Sequence, residues 1–103
     1  MAKFKIEWSP EAKGDLMDVL EFYINRNGSA TYSKKLHAKI GKSVKHIAKN
    51  PKLGIQTNYH SVRSLITDEY QIIYEIFDQV ILIVMLWDCR RNPEDKIIET
   101  RIK

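Results

Sequence analysis

Two adjacent arginines follow the longest apolar run of the chain. Residues 80–87 read VILIVMLW, Asp88 ends the run, and Arg90 and Arg91 come directly afterwards. A guanidinium is a planar fork that holds phosphate or carboxylate through two parallel hydrogen bonds, so paired arginines at a strand end favour the binding of an anionic group. The competing interpretation is local pairing with the nearby acids Asp88, Glu94 and Asp95.

Further basic residues lie between the predicted second helix and the strand that follows it. They are Lys52, His60 and Arg63. If the last strands form a meander, we expect this segment to lie near the end of the final strand and to form one basic rim with Arg90 and Arg91. We therefore take Lys52, Arg63, Arg90 and Arg91 as candidate target-binding residues.

A second basic group follows one face of the predicted second helix. Its members recur at spacings of four and three residues, which places them on one stripe well away from the apolar stripe. Such a ridge either binds phosphate or an acidic partner, or keeps the helix soluble, and the spacing fits both. The members of this basic ridge are Lys35, Lys39, Lys42, His46 and Lys49.

The charge of the chain is strongly segregated. The net charge is +4, and the 46 residues from Phe22 to Thr67 contain nine Lys or Arg and no Asp or Glu. A one-signed surface on so small a chain favours an acidic partner, either nucleic acid or an acidic protein segment.

Other kinds of site find little support. The three histidines, His37, His46 and His60, have no recognised zinc spacing, and we expect neither a metal nor another cofactor. Glycine-rich phosphate loops, nucleophile elbows and cysteine–histidine pairs are missing from the pattern. With Cys89 as the single cysteine, no internal disulfide forms.

Length and composition indicate one globular domain over residues 1–103. Apolar residues make up 44% and charged residues 29% of the 103 residues, which is ordinary for a folded domain. The first residues lack the apolar stretch of a secretory signal, so we expect a cytoplasmic protein that does not enter a membrane.

Hydrophobic periodicity predicts one strand and two helices in the first half of the chain. Apolar residues alternate over Lys3–Trp8, which is typical of a strand. Ser9 and Pro10 form a helix start, and that helix ends between Asn25 and Gly28. Ser29 is predicted to cap a second helix that ends near Lys49, antiparallel to the first.

The second half reads as strands separated by short polar breaks. Three are predicted, at Val62–Ile66, Tyr70–Phe77 and Val80–Trp87. The last is apolar throughout Val80–Leu86, so we expect it in the centre of the sheet. The resulting fold is α+β, ordered β-α-α-β-β-β, with a helical hairpin on a mostly antiparallel four-stranded sheet.

This order of motifs resembles the RelE/ParE superfamily of toxins from bacterial type II toxin–antitoxin systems. The motifs are "SPEAKGDLMDVLEFY", "HIAKNPKLG", "YQIIYEIFDQVILIVML" and "WDCRRNPED", which span nearly the whole chain. The resemblance implies a growth inhibitor neutralised by a cognate antitoxin, of the plasmid-stabilisation type, which meets operator DNA only through that antitoxin. RelE-like members cleave messenger RNA in the ribosomal A site without metal, whereas ParE-like members bind DNA gyrase.

The resemblance also suggests roles for particular residues. Arg90 matches the superfamily arginine at the end of the last strand, and Lys52 and Arg63 match basic residues after the second helix. If the chain is RelE-like, its catalytic residues are Arg90, His60 and Arg63. Gln71, however, stands where RelE-like nucleases have an arginine, and Lys96 stands near the place of their C-terminal tyrosine.

Cations around the scissile phosphate supply much of such catalysis, so an amide at Gln71 weakens it. Together with the missing C-terminal tyrosine, this favours the ParE-like, gyrase-directed alternative. Ribosome-dependent messenger RNA cleavage remains the second possibility, and whether the chain is an enzyme depends on which holds. A third possibility is a non-toxic basic module that binds nucleic acid through the basic ridge, although aromatic RNA-binding and helix-turn-helix patterns are missing.

Overall fold

A computed structural model of the protein describes residues 4–102. Strand β1 spans Lys5–Trp8, and Lys3, the first residue of the predicted strand, lies outside the described residues. Helix α1 spans Pro10–Asn27, where the Ser9 hydroxyl accepts a hydrogen bond from the Ala12 amide. Gly28 ends the helix with a φ of 69°, a left-handed conformation that glycine adopts without strain. Both predicted ends of this helix are confirmed.

Helix α2 spans Thr31–Lys49 and begins differently from the prediction. Ala30, not Ser29, is the capping residue, and no side chain caps the first turn. The reason is that the Ala30 carbonyl accepts the first helical hydrogen bond, from the Lys34 amide, so Ser29 lies one residue too early. The spacing of apolar residues predicted a buried stripe of Tyr32, Leu36, Ile40, Val44 and Ile47. The last four are buried, but Tyr32, in the first turn of the helix, is 42% exposed.

The sheet has five strands, not the predicted four, in the order β1-β5-β4-β3-β2. The additional strand is β2, Ile55–Gln56, which pairs with residues 63–64 of β3. Two residues are too few to show any periodicity, and they lie in a segment rich in loop-forming residues. Strands β3, Val62–Thr67, and β4, Tyr70–Phe77, follow the predicted positions.

Strand β5, Val80–Asp88, lies between β1 and β4, as the apolar run predicted. It is parallel to β1 and antiparallel to β4, and all the other pairs are antiparallel. Pairing with β1 ends at Ile83, so the last five residues of β5 have no strand on that side. Side chains replace the strand there: Asp15 accepts from the Leu86 amide (3.0 Å), and Arg101 donates to the Val84 carbonyl (3.0 Å).

Apolar residues cover both faces of the sheet. One core packs between the sheet and the helices and includes Leu36, Ile40, Tyr70 and Ile83. A smaller core on the opposite face contains Val62, Ile73, Val84, Met85 and Trp87. Ile98 and Ile102 pack against this second core, after a 3₁₀ turn at Pro93–Asp95 has reversed the chain.

Neither helix of the described residues combines the length and the apolar character that a membrane crossing requires.

Candidate functional site

The strand register separates the basic residues that were expected to form one rim. Thr67 lies opposite Tyr70, which lies opposite Asp88, so the ends of these strands share one edge with Arg90 and Arg91. Arg63 lies four residues from Thr67 along β3, roughly 13 Å at the usual rise of a strand. His60 precedes β3 and is farther still. The prediction of a single rim is therefore wrong, because β3 runs away from that edge.

Arg90 is held by acceptors on three elements. Its Nε and Nη2 donate to the two oxygens of Asp88 at 2.9 and 2.8 Å, and its Nη1 lies 3.0 Å from Glu69 Oε2. Nη2 also contacts the hydroxyls of Tyr23 (2.8 Å) and Tyr70 (3.3 Å). The guanidinium thus ties the end of β5 to the start of β4 and to α1.

This Arg90 cluster changes the acidity of its members. The hydrogen bond from Arg90 lowers the pKa of Asp88. The pKa of Tyr23 is lowered by a hydrogen bond from Tyr70 and by another from Arg90, whereas burial raises the pKa of Tyr70. Tyr23 is therefore the acceptor of the pair, whose hydroxyls are 3.3 Å apart. Asp88 and Arg90 remain ionised over the physiological range.

Arg91 has different surroundings from Arg90. Its guanidinium lies 4.4 Å from the centroid of the Trp87 ring, a cation–π contact. Trp87 belongs to the smaller core and is 6% exposed, so the ring is a fixed platform. Arg91 itself is exposed.

Lys52 and Arg63 belong to a separate group around the loop after α2. Arg63 Nη1 donates to the carbonyls of Lys52 (3.3 Å) and Gly54 (2.6 Å). The Tyr74 hydroxyl donates to the Pro51 carbonyl and accepts from the Gly54 amide. Arg63 thus holds the loop that carries Lys52, which is itself exposed.

The basic ridge is exposed along its whole length. Lys39 pairs with Asp68 at 2.9 Å, across side chains that are 61% and 46% exposed. Such a pair is well solvated and contributes little to stability. The ridge remains a candidate surface for an acidic partner.

Gln71 and Lys96, the two departures from the RelE-like pattern, contact each other. Lys96 Nζ donates to Gln71 Oε1 at 2.8 Å. Lys96 thereby places its ammonium group beside Gln71 on β4, a contact that a sequence separation of 25 residues concealed.

Sequence reasoning named Asp88 as a possible partner of Arg90 but missed Tyr23, Tyr70 and Glu69. In the sequence the two tyrosines lie within apolar patterns, and Glu69 lies in a short polar break between two predicted strands. One signal was present, since a tyrosine buried at a strand end needs a partner for its hydroxyl. Nothing in the sequence indicated which partner, because Tyr23 and Arg90 are 67 residues apart.

A cavity of about 210 Å³ opens between α1 and the end of β5. Val19, Phe22 and Leu86 supply its apolar surface, and the side chains of Asp18 and Arg91 supply opposite charges. Asp15 and Asp88 also line it, but each carries an arginine partner, Arg101 and Arg90 respectively.

Comparison with known proteins gives a family match and a structural match. The family model described as ParE toxin of type II toxin–antitoxin system, parDE, matches residues 6–93. No curated protein matches the sequence. A solved chain from the chromosomal ParDE TA system of P. aeruginosa is similar, with a TM-score of 0.70 and 19% identity over 82% of this chain and 94% of that chain. At that identity the structural match establishes the fold alone.

Proposed function

The chain belongs to the ParE toxin family of type II toxin–antitoxin systems, and we propose that it is a growth inhibitor that acts on DNA gyrase. The family match over residues 6–93 carries this proposal. The toxin is held inactive by a cognate antitoxin whose acidic segments bind the acid-free half of the chain. It acts in the cytoplasm, in a system of the plasmid-stabilisation type.

The separation of the basic residues supports gyrase over messenger RNA as the target. A metal-free ribonuclease needs a base, cations at the phosphate and an acid around one scissile bond. The candidates for those roles were His60, Arg63 and Arg90, and the register places Arg63 about 13 Å along the sheet from the Arg90 edge. Arg63 and Arg90 are also engaged in intramolecular contacts.

Two assays on the same protein test the target. Purified toxin should inhibit supercoiling by DNA gyrase, and primer extension on messenger RNA from induced cells should show no codon-phased cuts. Cuts within translated frames, with supercoiling unaffected, would replace this proposal with the RelE-like one. In that case His60 and Arg90 become the first residues to mutate.

Co-expression with the neighbouring short reading frame tests the proposed antitoxin. Growth should be restored, and the two proteins should purify together. Growth arrest that persists with every adjacent reading frame would contradict the proposed neutralisation.

A further inference from the structure

We propose that Arg91 is the side chain of the β5 end that contacts the target, where it takes a carboxylate of a protein partner. Arg90 is a positioning residue that fixes the turn from which Arg91 projects. This inference rests on the proposed growth inhibition and deepens it by naming the contact residue and the chemistry of the partner.

Arg90 is less available to a ligand than Arg91, although its side chain is 48% exposed. Each of its three guanidinium nitrogens already has an acceptor, and two of these acceptors are carboxylates, Asp88 and Glu69. An incoming anion must either displace one of them or bind beside both. Like charges in such proximity oppose binding.

Arg91 is available in a fixed orientation. Stacking on Trp87 engages the face of the guanidinium and leaves its edge of N–H donors exposed. Among the salt bridges of the described residues, none includes Arg91. A pre-oriented arginine loses less side-chain entropy on binding than a free one, and arginine is enriched among the residues that dominate interfaces.

The turn before Arg91 depends on Asp88 and Arg90. The Asp88 side chain accepts from the Arg90 amide at 2.9 Å, and the Asp88 carbonyl accepts from the Arg91 amide at 3.0 Å. The Cys89 amide donates to the Glu69 carbonyl. With the Arg90 guanidinium clamped as well, the turn directs Arg91 back onto Trp87.

The surroundings of Arg91 indicate a protein partner. The adjacent cavity contains Asp18, and also Asp15 and Asp88, which are paired with Arg101 and Arg90. Acids beside Arg91 oppose a phosphate backbone, with its row of negative charges, more than they oppose a single carboxylate that binds Arg91 alone. The cavity also contains Phe22, which is 55% exposed on α1. Exposed aromatic surface beside arginine is typical of protein interfaces. We expect the surface of the partner to place an acidic side chain against Arg91 and an apolar side chain against Phe22.

The first test compares two arginine variants with the wild type in cells. Arg91→Ala should weaken growth arrest by at least about ten-fold in the inducer concentration required, the loss expected for one charge-assisted contact. Its melting temperature should stay at the wild-type value. Arg26→Ala is the matched control, an exposed arginine near the end of α1, and should arrest growth like the wild type. If Arg91→Ala arrests growth at the same inducer concentration as the wild type, the inference is overturned. Absence of arrest by the wild type would overturn the proposed function and this inference with it.

A spectroscopic test separates positioning by Arg90 from a merely structural role. In a Trp8→Phe background, Trp87 emission should change in the same direction for Arg90→Ala and Arg91→Ala, because the guanidinium leaves the ring in both. If Arg90→Ala lowers the melting temperature while Trp87 emission stays at the wild-type value, Arg90 does not position Arg91.

A binding test decides the chemistry of the partner. We expect wild type and Arg91→Ala to bind a fluorescein-labelled 20-nucleotide RNA equally weakly at 0.15 M salt. A ten-fold loss of RNA binding in Arg91→Ala would overturn the assignment to a protein carboxylate.

Discussion

Asp88 is the residue on which the end of β5 depends, because it accepts from both the side chain and the backbone of Arg90. The acid does three things at once: it ends the apolar run, caps the turn and neutralises the guanidinium. Local pairing was the competing sequence interpretation of the two arginines, and it holds for Arg90. It does not hold for Arg91, which the aromatic ring of Trp87 supports instead.

Substitution Asp88→Asn should make the free energy of unfolding less dependent on pH. The pKa of Asp88 is lowered in the folded state, so its stabilising contribution is complete above the unfolded pKa of about 3.9 and is lost as the pH falls through the folded pKa. We expect Asp88→Asn to cost about 0.5–1.5 kcal/mol at pH 7, since Arg90 is nearly half exposed.

Urea unfolding at pH 7, 4 and 2.5 measures this effect. The difference between wild type and Asp88→Asn should shrink at the lowest pH, where the wild-type carboxyl also becomes neutral. A difference that grows towards low pH would show that the ionised form of Asp88 does not stabilise the fold.

The open side of β5 shows how elements of different length are fitted together. Strand β1 pairs with only the first part of β5, so the rest would expose an edge with free backbone groups. Asp15 from α1 and Arg101 from the C-terminal segment cover it, and they pair with each other at 2.9 Å. Helix, strand and tail are thereby joined at one point.

Breaking this junction should destabilise the protein more than breaking a surface pair. Arg101→Ala removes the donor to the Val84 carbonyl and leaves the Asp15 carboxylate with the Leu86 amide but no cation, and the side chains of Arg101 and Asp15 are only about a fifth exposed. The expected cost is about 1–3 kcal/mol. Chemical denaturation measures it, with Lys39→Ala as the control because its pair with Asp68 is exposed. Equal midpoints for the two variants would rule out a stabilising junction.

Two glycines in different surroundings, Gly54 in the loop after α2 and Gly14 inside α1, supply a matched pair of substitutions. A Cβ at Gly54 would meet the Tyr74 hydroxyl at 2.8 Å and the Ser64 carbonyl oxygen at 2.9 Å, so Gly54→Ala should cost about 1–3 kcal/mol. At Gly14, inside α1, a Cβ meets nothing within 4 Å, and Gly14→Ala should stabilise by about 0.5–1 kcal/mol.

Thermal unfolding of both variants gives the comparison. Opposite shifts of the melting temperature are expected, and a stabilising Gly54→Ala would show that the loop relaxes freely around Tyr74.

At the scale of the whole molecule, the sequence predicted elements better than their contacts. The central strand followed from an unbroken apolar run, and the helix start followed from Ser9 and Pro10, because both signals are local. The prediction of one basic rim was wrong because the distance between Arg63 and Arg90 depends on strand direction and register. Hydrophobic periodicity does not encode either of these. The contacts of Arg90 with Tyr23 and Tyr70 were missed for the same reason, since these residues are distant in sequence, whereas the pairing with Asp88 is local.

Charge segregation is the property of the whole molecule that leads to the last prediction. The acid-free half of the chain includes the basic ridge, whose side chains are exposed, and we propose that this surface attracts an acidic antitoxin. Attraction between oppositely charged surfaces raises the association rate and weakens with salt, while the dissociation rate depends mainly on close contacts.

The triple variant Lys35→Gln, Lys42→Gln, Lys49→Gln should therefore associate about ten-fold more slowly with the co-purified antitoxin at low salt. Its melting temperature should stay unchanged, because the three side chains are exposed and have no salt-bridge partner among the described residues. Surface plasmon resonance at 0.05 and 0.5 M salt tests this, since wild type and variant should converge at the higher concentration. If wild type and triple variant associate with the antitoxin at the same rate at low salt, the basic ridge only keeps the helix soluble.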